Sequence, residues 1–149
     1  MLTSWDNKFL ELAQSVSIWS KDPSTKIGVV AVNPEKKQIL STGYNGFPRG
    51  IVDTTERLNV RSIKYQLVVH GEQNCIYNAC LNGTCLNGST FYIYGLPCCS
   101  ECAKGLIQVG VKRVITKYPK TTQAKWIEST IMSNFMFDEV GIEHSYVCY

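Results

Sequence analysis

A chain of 149 residues with 44% hydrophobic side chains can bury one sizeable core, and 18% charged residues with no long run of one sign is too little for wholesale disorder. The formal net charge of +3 is scattered rather than gathered into a stripe, which argues against a nucleic-acid partner and leaves room for a small anionic ligand. Asp6 and Glu11 interrupt any signal-like run, and no stretch approaches the roughly 18 apolar residues of a membrane span, so a soluble cytoplasmic protein is expected.

Trp5, Phe9, Leu12, Ala13 and Val16 recur at helical spacing and predict an amphipathic helix over 4–18. "KIGVVAVN" and "QILSTGYN", joined by "PEKK", predict an antiparallel hairpin. Residues 45–66, rich in Gly, Pro, Asp, Thr and Arg, are expected to form a long excursion of functional or mobile character. The strand-like run "YQLVV" then gives way to a helix, "HGEQNCIYNACL". A strand ("STFYIYGL"), a helix stopped by Gly110 ("CSECAKGLIQVG") and another strand ("KRVITKY") follow. "TTQAKWIESTIMSNF" predicts a helix capped by its Thr pair, with Trp126, Ile127 and Ile131 on one face, and "IEHSYVCY" a closing strand. This order describes one domain over 1–149 of the α/β class, with a five-stranded sheet sandwiched between helices.

Two segments converge on one chemistry. His70-Gly71-Glu72 and Cys99-Ser100-Glu101-Cys102 each stand where an extended run enters a helix. One imidazole and two thiolates are the three protein donors of a catalytic zinc site, and C-x-x-C lets both sulfurs reach one ion from a helix's first turn. Unpaired N–H groups at helix starts favour the thiolate form. Glu72, two residues from His70, is placed to move a proton beside the metal without ligating it.

Other readings stand beside this one. C-x-x-C alone serves as a redox pair, a lone His is more often a core residue, and a structural zinc would take a fourth ligand from Cys75 or Cys98. Seven cysteines, an odd number, do not suit a closed disulfide framework. Cys80, Cys85 and Cys148 read as small apolar residues in or near the core, and His144 as a surface residue on a strand.

"SKDPSTKIG", "GYNGFPRG", "KYQLVVHGEQNCI", "CSECAKGLIQVGVKRV" and "FDEVGIEH" together resemble the deoxycytidylate (dCMP) deaminase family of zinc-dependent nucleobase deaminases, over roughly residues 20–142. Three positions depart from its pattern. Gly71 and Cys75 stand where the family usually has Ala, and Cys98 stands where it has Pro. The extra ligands of a second, structural zinc found in some relatives have no counterpart in residues 50–69, so that site is expected to be absent.

The resemblance implies a cytidine-deaminase-like three-layer α/β/α sandwich with a mixed sheet. It implies one catalytic Zn2+ per subunit on His70, Cys99 and Cys102, with Glu72 as the proton carrier in hydrolysis of dCMP to dUMP and ammonia. It places Ser20, Lys21, Asn45 and Tyr118 at the substrate. The bland alternatives are a solvated loop lysine for Lys21 and, for Asn45, a turn residue tolerating positive φ. It further implies a homo-oligomer, a hexamer in many relatives, activated by dCTP and inhibited by dTTP through Tyr44, Asn45, Gly46 and Arg49. The rivals are a deaminase of the same fold acting on another base or nucleoside, a silent nucleotide-binding zinc protein, and a redox protein using Cys99 and Cys102.

Overall fold

The computed structural model describes residues 1–149. Helix α1 (Ser4–Ser17) opens the chain, and the hairpin β1 (Gly28–Asn33) and β2 (Gln38–Tyr44) follows it. Three helices come next, α2 (Thr55–Asn59), α3 (Arg61–Leu67) and α4 (Gly71–Leu81). The remainder alternates: β3 (Thr90–Tyr94), α5 (Ser100–Gln108), β4 (Arg113–Tyr118), α6 (Ala124–Val140) and β5 (Glu143–Cys148). The strands form one sheet in the order β2-β1-β3-β4-β5. Pairing is antiparallel from β2 through β1 to β3 and parallel from β3 through β4 to β5. This is the mixed five-stranded sheet the sequence predicts.

Strand alternation divides the core between two faces. Val30, Val32, Tyr92 and Ile115 meet Phe9, Leu10, Ala13 and Val16 of α1. Val29, Ala31, Phe91, Ile93 and Val114 pack on the other face with Cys75 and Ala79 of α4, Ala103 and Leu106 of α5, and Phe137 of α6. A capping box starts α1: the Asp6 amide donates to Thr3 Oγ1 and the Thr3 amide to Asp6 Oδ2. Two glycines let helices approach strands closely. A Cβ on Gly28 would stand 1.9 Å from the Ala13 carbonyl oxygen, and one on Gly43 would stand 2.3 Å from the Cys75 nitrogen.

Helix α4 is strapped to β2. Asn74 Nδ2 donates to the Tyr44 carbonyl and Asn78 Nδ2 to the Thr42 carbonyl, both at 2.8 Å, while Ser41 Oγ donates to the Cys75 carbonyl at 2.7 Å. The two asparagine bonds occupy backbone acceptors of the edge strand β2, while the serine bond uses a carbonyl of α4.

Five local expectations differ from the structure, the first being that Cys80, Cys85 and Cys148 are exposed rather than in or near the core. The 45–66 excursion contains α2 and most of α3, and its base is pinched shut by a two-way bridge between Gly46 and Val69. "YQLVV" is not a strand, because Tyr65–Leu67 continue α3, whose face toward the fold needs helical spacing. Gln123, without a side-chain cap bond, precedes α6 in place of the Thr pair; Thr122 bonds back to Pro119 instead. Finally, α6 buries Thr130, Ser133 and Phe137, leaving Ile127 and Ile131 exposed. Ser133 Oγ donates to the Cys98 carbonyl at 2.8 Å, which turns the polar side of that helix inward.

Candidate active site

Two helix starts meet at one point. The Gly46–Val69 bridge delivers the chain to His70, the N-cap of α4, whose amide is met by Gln73 Oε1. Cys99 is the N-cap of α5, and Cys102 sits in that helix's first turn. His70 Nδ1 lies 3.3 Å from Cys102 Sγ and 3.5 Å from Cys99 Sγ. One potential ligand atom from each of the three residues lies within 4.8 Å of the other two.

The electrostatics fit a shared ligand. The hydrogen bond from Cys102 pulls the Cys99 thiol down to about 4; burial opposes this and His70 adds to it. Cys102 is pushed up by that same contact with Cys99 and by burial. His70 is raised by its bond to Cys99, against burial. Cys99 is the readier thiolate of the pair. Glu72 is 5% exposed, and burial raises its carboxyl to about 6.

This donor set suits Zn2+. One imidazole nitrogen and two sulfurs converge at the positive ends of two helices, with a buried carboxylate two residues from the imidazole. The cluster has no fourth member. Cys98 is fully buried and its thiol faces the Cys99 carbonyl at 3.5 Å, while Cys75 packs in the α4 core with burial raising its thiol to about 12. Three donors are the complement of a catalytic site, whereas structural zinc sites close with four.

A cavity of ≈ 240 Å³ adjoins the triad, with His70, Glu72 and Cys99 in its lining. That is a compact site, below the usual span of pockets for drug-sized ligands. Asn45 also lines it, with both ends of its amide committed: Oδ1 accepts from the Ile27 amide at 2.8 Å and Nδ2 donates to the Thr25 carbonyl at 2.9 Å. Asn45 has no positive φ, so its role is to staple loop to strand. Ser20 is buried behind it and donates to the Asn45 carbonyl at 2.8 Å. Lys21 is exposed and bonded to Asp53, and neither it nor Tyr118 lines the cavity.

Of the four residues expected at a regulator, Asn45 is buried in the cavity wall, and the other three are at least partly exposed. Tyr44 is partly exposed and edge-on to Trp19, Gly46 is in the bridge to Val69, and Arg49 donates to Asn78 on α4.

Several lining residues were not read as site residues from sequence. Arg61, Lys64, Tyr65 and Val68 face the cavity from α3 and its end, and Lys125, Trp126 and Ser129 from the start of α6. Positions 61, 64, 65 and 68 carry helical spacing that would have marked this face, had the segment been read as a helix.

Similarity to known proteins agrees with this geometry. The model of the cytidine and deoxycytidylate deaminase zinc-binding region matches residues 3–118. An uncharacterized deaminase of Aliivibrio fischeri is 35% identical over 146 residues, covering 96% of this chain and 93% of its own. The deoxycytidylate deaminase of Mus musculus is 36% identical over 145 residues, covering 93% of this chain and 76% of its own. In fold, the dCMP deaminase of cyanophage S-TIM5, solved in complex with dCMP and dUMP, superposes with a TM-score of 0.76 at 22% identity, covering 99% of each chain.

Proposed function

This chain belongs to the cytidine and deoxycytidylate deaminase family, and on that basis we propose that it hydrolyses dCMP to dUMP, releasing ammonia. The observation that carries the reading is the meeting of His70, Cys99 and Cys102 beside buried Glu72 at the wall of a compact cavity. The curated relatives named for deoxycytidylate support the choice of ring and phosphate.

His70, Cys99 and Cys102 would hold one zinc ion per subunit, which when bound supplies a Lewis acid that acidifies water. Glu72 takes a proton from the attacking water, carries it to ring nitrogen 3 of cytosine, and protonates the departing amine at carbon 4. The water oxygen becomes the new carbonyl oxygen, so one dCMP and one water become one dUMP and one ammonia. Burial keeps bulk water from competing for Glu72 and strengthens its hydrogen bonds. Asn45 shapes the wall against which the substrate rests, with Ser20 holding its backbone; Lys21 and Tyr118 are contacts for substrate reaching past that wall.

The same reading makes the protein a cytoplasmic homo-oligomer, hexameric by resemblance, that answers to dCTP as activator and dTTP as inhibitor at Tyr44, Asn45, Gly46 and Arg49. Exposed Ile131 and Phe135 on α6 support an oligomer, and the exposure of Tyr44 supports an effector contact. No helix is long and apolar enough to cross a membrane.

Ammonia release from dCMP, deoxycytidine and a panel of other amino-bearing bases tests the activity. Turnover of dCMP is expected, and zinc-loaded protein inert toward every cytosine nucleotide would defeat the proposal. Sigmoidal dCMP kinetics made hyperbolic by dCTP would support regulation, and indifference to both effectors would remove it.

A further inference from the structure

Gly95 to Cys99 carries the chain from β3 into α5, and this connection places the sulfur of Cys99. Backbone bonds fix its two ends. The Gly95 amide donates to the Lys117 carbonyl, and the Cys99 carbonyl accepts from the Ala103 amide, both at 2.9 Å. Between those ends, Leu96, Pro97 and Cys98 make no backbone–backbone hydrogen bond, and Pro97 has no N–H to offer. One bond ties the main chain of this span to the rest of the protein: the Ser133 hydroxyl donates to the Cys98 carbonyl at 2.8 Å.

Both partners are sealed, Ser133 and Cys98 each being 0% exposed, so bulk water does not reach that carbonyl. A mid-helix serine commonly bonds back to the carbonyl four residues earlier. Here that contact, to Ser129, is 3.4 Å, whereas the bond across to Cys98 is 2.8 Å. The hydroxyl serves the loop before its own helix. Helix α6 is fixed on either side of it: Ser129 lines the cavity, and Phe137 packs in the core cluster that holds Cys98 and Cys102.

We propose that Ser133 is a positioning residue for the metal site, its hydroxyl fixing the Cys98–Cys99 peptide and so aiming Cys99 Sγ at the point shared with His70 and Cys102. The inference rests on the reading of those three residues as zinc ligands. The peptide unit is planar, so an anchored carbonyl oxygen also sets the direction in which the Cys99 amide leaves the loop. Ser133 lies outside both the ligand cluster and the cavity lining, and it acts through Cys99. Hydrogen-bond partners behind a metal's ligands commonly govern its affinity.

The test starts from zinc-loaded protein and compares wild type, Ser133→Ala and Thr130→Val. Alanine is the strongest helix former and deletes one atom, so α6 is retained. Thr130 is the control, a second buried hydroxyl of α6 that bonds within its own helix, to the Ile127 carbonyl. Chelator competition should show Ser133→Ala holding zinc about 10- to 100-fold more weakly than wild type, with Thr130→Val unchanged. After exchange of zinc for Co2+, the sulfur-to-cobalt absorption bands should shift in Ser133→Ala alone. Wild-type zinc affinity and cobalt bands in folded Ser133→Ala overturn the proposal, whatever the change in its urea midpoint. If wild type itself retains no zinc, the zinc reading fails by itself. Positioning is then judged by amide hydrogen exchange of metal-free protein. Residues 96–102 must exchange faster in Ser133→Ala than in Thr130→Val, and equal exchange overturns the assignment.

Discussion

Glu72 and Cys102 sit a few ångströms apart in the same site, yet their substitutions should separate metal from chemistry. Glu72→Ala is expected to retain zinc and lose turnover by at least about 100-fold, since general acid–base groups commonly contribute that much or more. Cys102→Ala is expected to lose zinc as well, because only three donors converge there. Metal analysis after gel filtration, run beside the ammonia assay, distinguishes the two. Cys98 makes the opposite case. It is buried in the core, stands outside the ligand cluster, and its amide donates no hydrogen bond. Its carbonyl accepts from Ser133, a bond that proline preserves. Cys98→Pro should therefore keep zinc and activity. Zinc loss in that variant would mean that Cys98, not a neighbouring thiol, holds the metal.

At the scale of elements, close approach of α1 to β1 leaves no room for a side chain at Gly28. Gly28→Ala would drive a carbon into the Ala13 carbonyl and the Ser17 nitrogen of α1. Both obstacles are backbone, so the helix must move, at a cost of about 1–3 kcal/mol or more. A lowered urea midpoint with unchanged slope is the expected result. Gly71→Ala provides the contrast, since its added carbon meets side-chain carbons of Ile27 and Val29, none nearer than 3.2 Å and none of them backbone, and should leave the midpoint nearly unchanged. Helix α3 shows where local pattern misleads. "YQLVV" has strand composition, but Tyr65 and Val68 face the cavity with Arg61 and Lys64 only on helical spacing. Helix α6 shows the same failure in reverse. Its apolar Ile127 and Ile131 look inward-facing by type, whereas Ser133 is the residue drawn in, by the Cys98 carbonyl.

Across the whole molecule, one buried charge network ties the first helix to the far strands. Asp6 is almost fully buried at the start of α1; Arg113 of β4 grips both its oxygens, at 2.8 and 3.2 Å, and the Tyr92 hydroxyl of β3 donates at 2.8 Å. Burial pushes the Asp6 carboxyl up, but Arg113, Thr3 and Tyr92 together more than offset it and hold it at about 2. A carboxyl whose folded pKa lies below its unfolded one stabilises the fold at all pH above the unfolded value. That stabilisation disappears as pH falls through the folded value. About 2 kcal/mol should therefore be lost between roughly pH 4 and pH 2. Urea titrations of zinc-free protein should show wild type and Asp6→Asn differing at pH 7 and converging by that amount as the pH reaches 2. Parallel curves would show that Asp6 is not held low.

Local pattern along the chain determined these features: hydrophobic periodicity gave α1, the β1–β2 hairpin and the alternation of strand and helix after residue 90, and short motifs carried the likeness to a zinc deaminase. The triad was legible for the same reason: His70 and Glu72 lie two residues apart, Cys99 and Cys102 three, and each pair acts from one helix start. Only the tertiary structure decided which cations face the cavity. Arg61 and Lys64 are separated from Lys125 by about sixty residues that hold α4, α5 and two strands, β3 and β4. They share a lining because the Gly46–Val69 bridge folds α3 back over the triad while α6 returns from β4 to meet it. Spacing along a chain reports one element's faces, and which faces meet is set by how the elements pack.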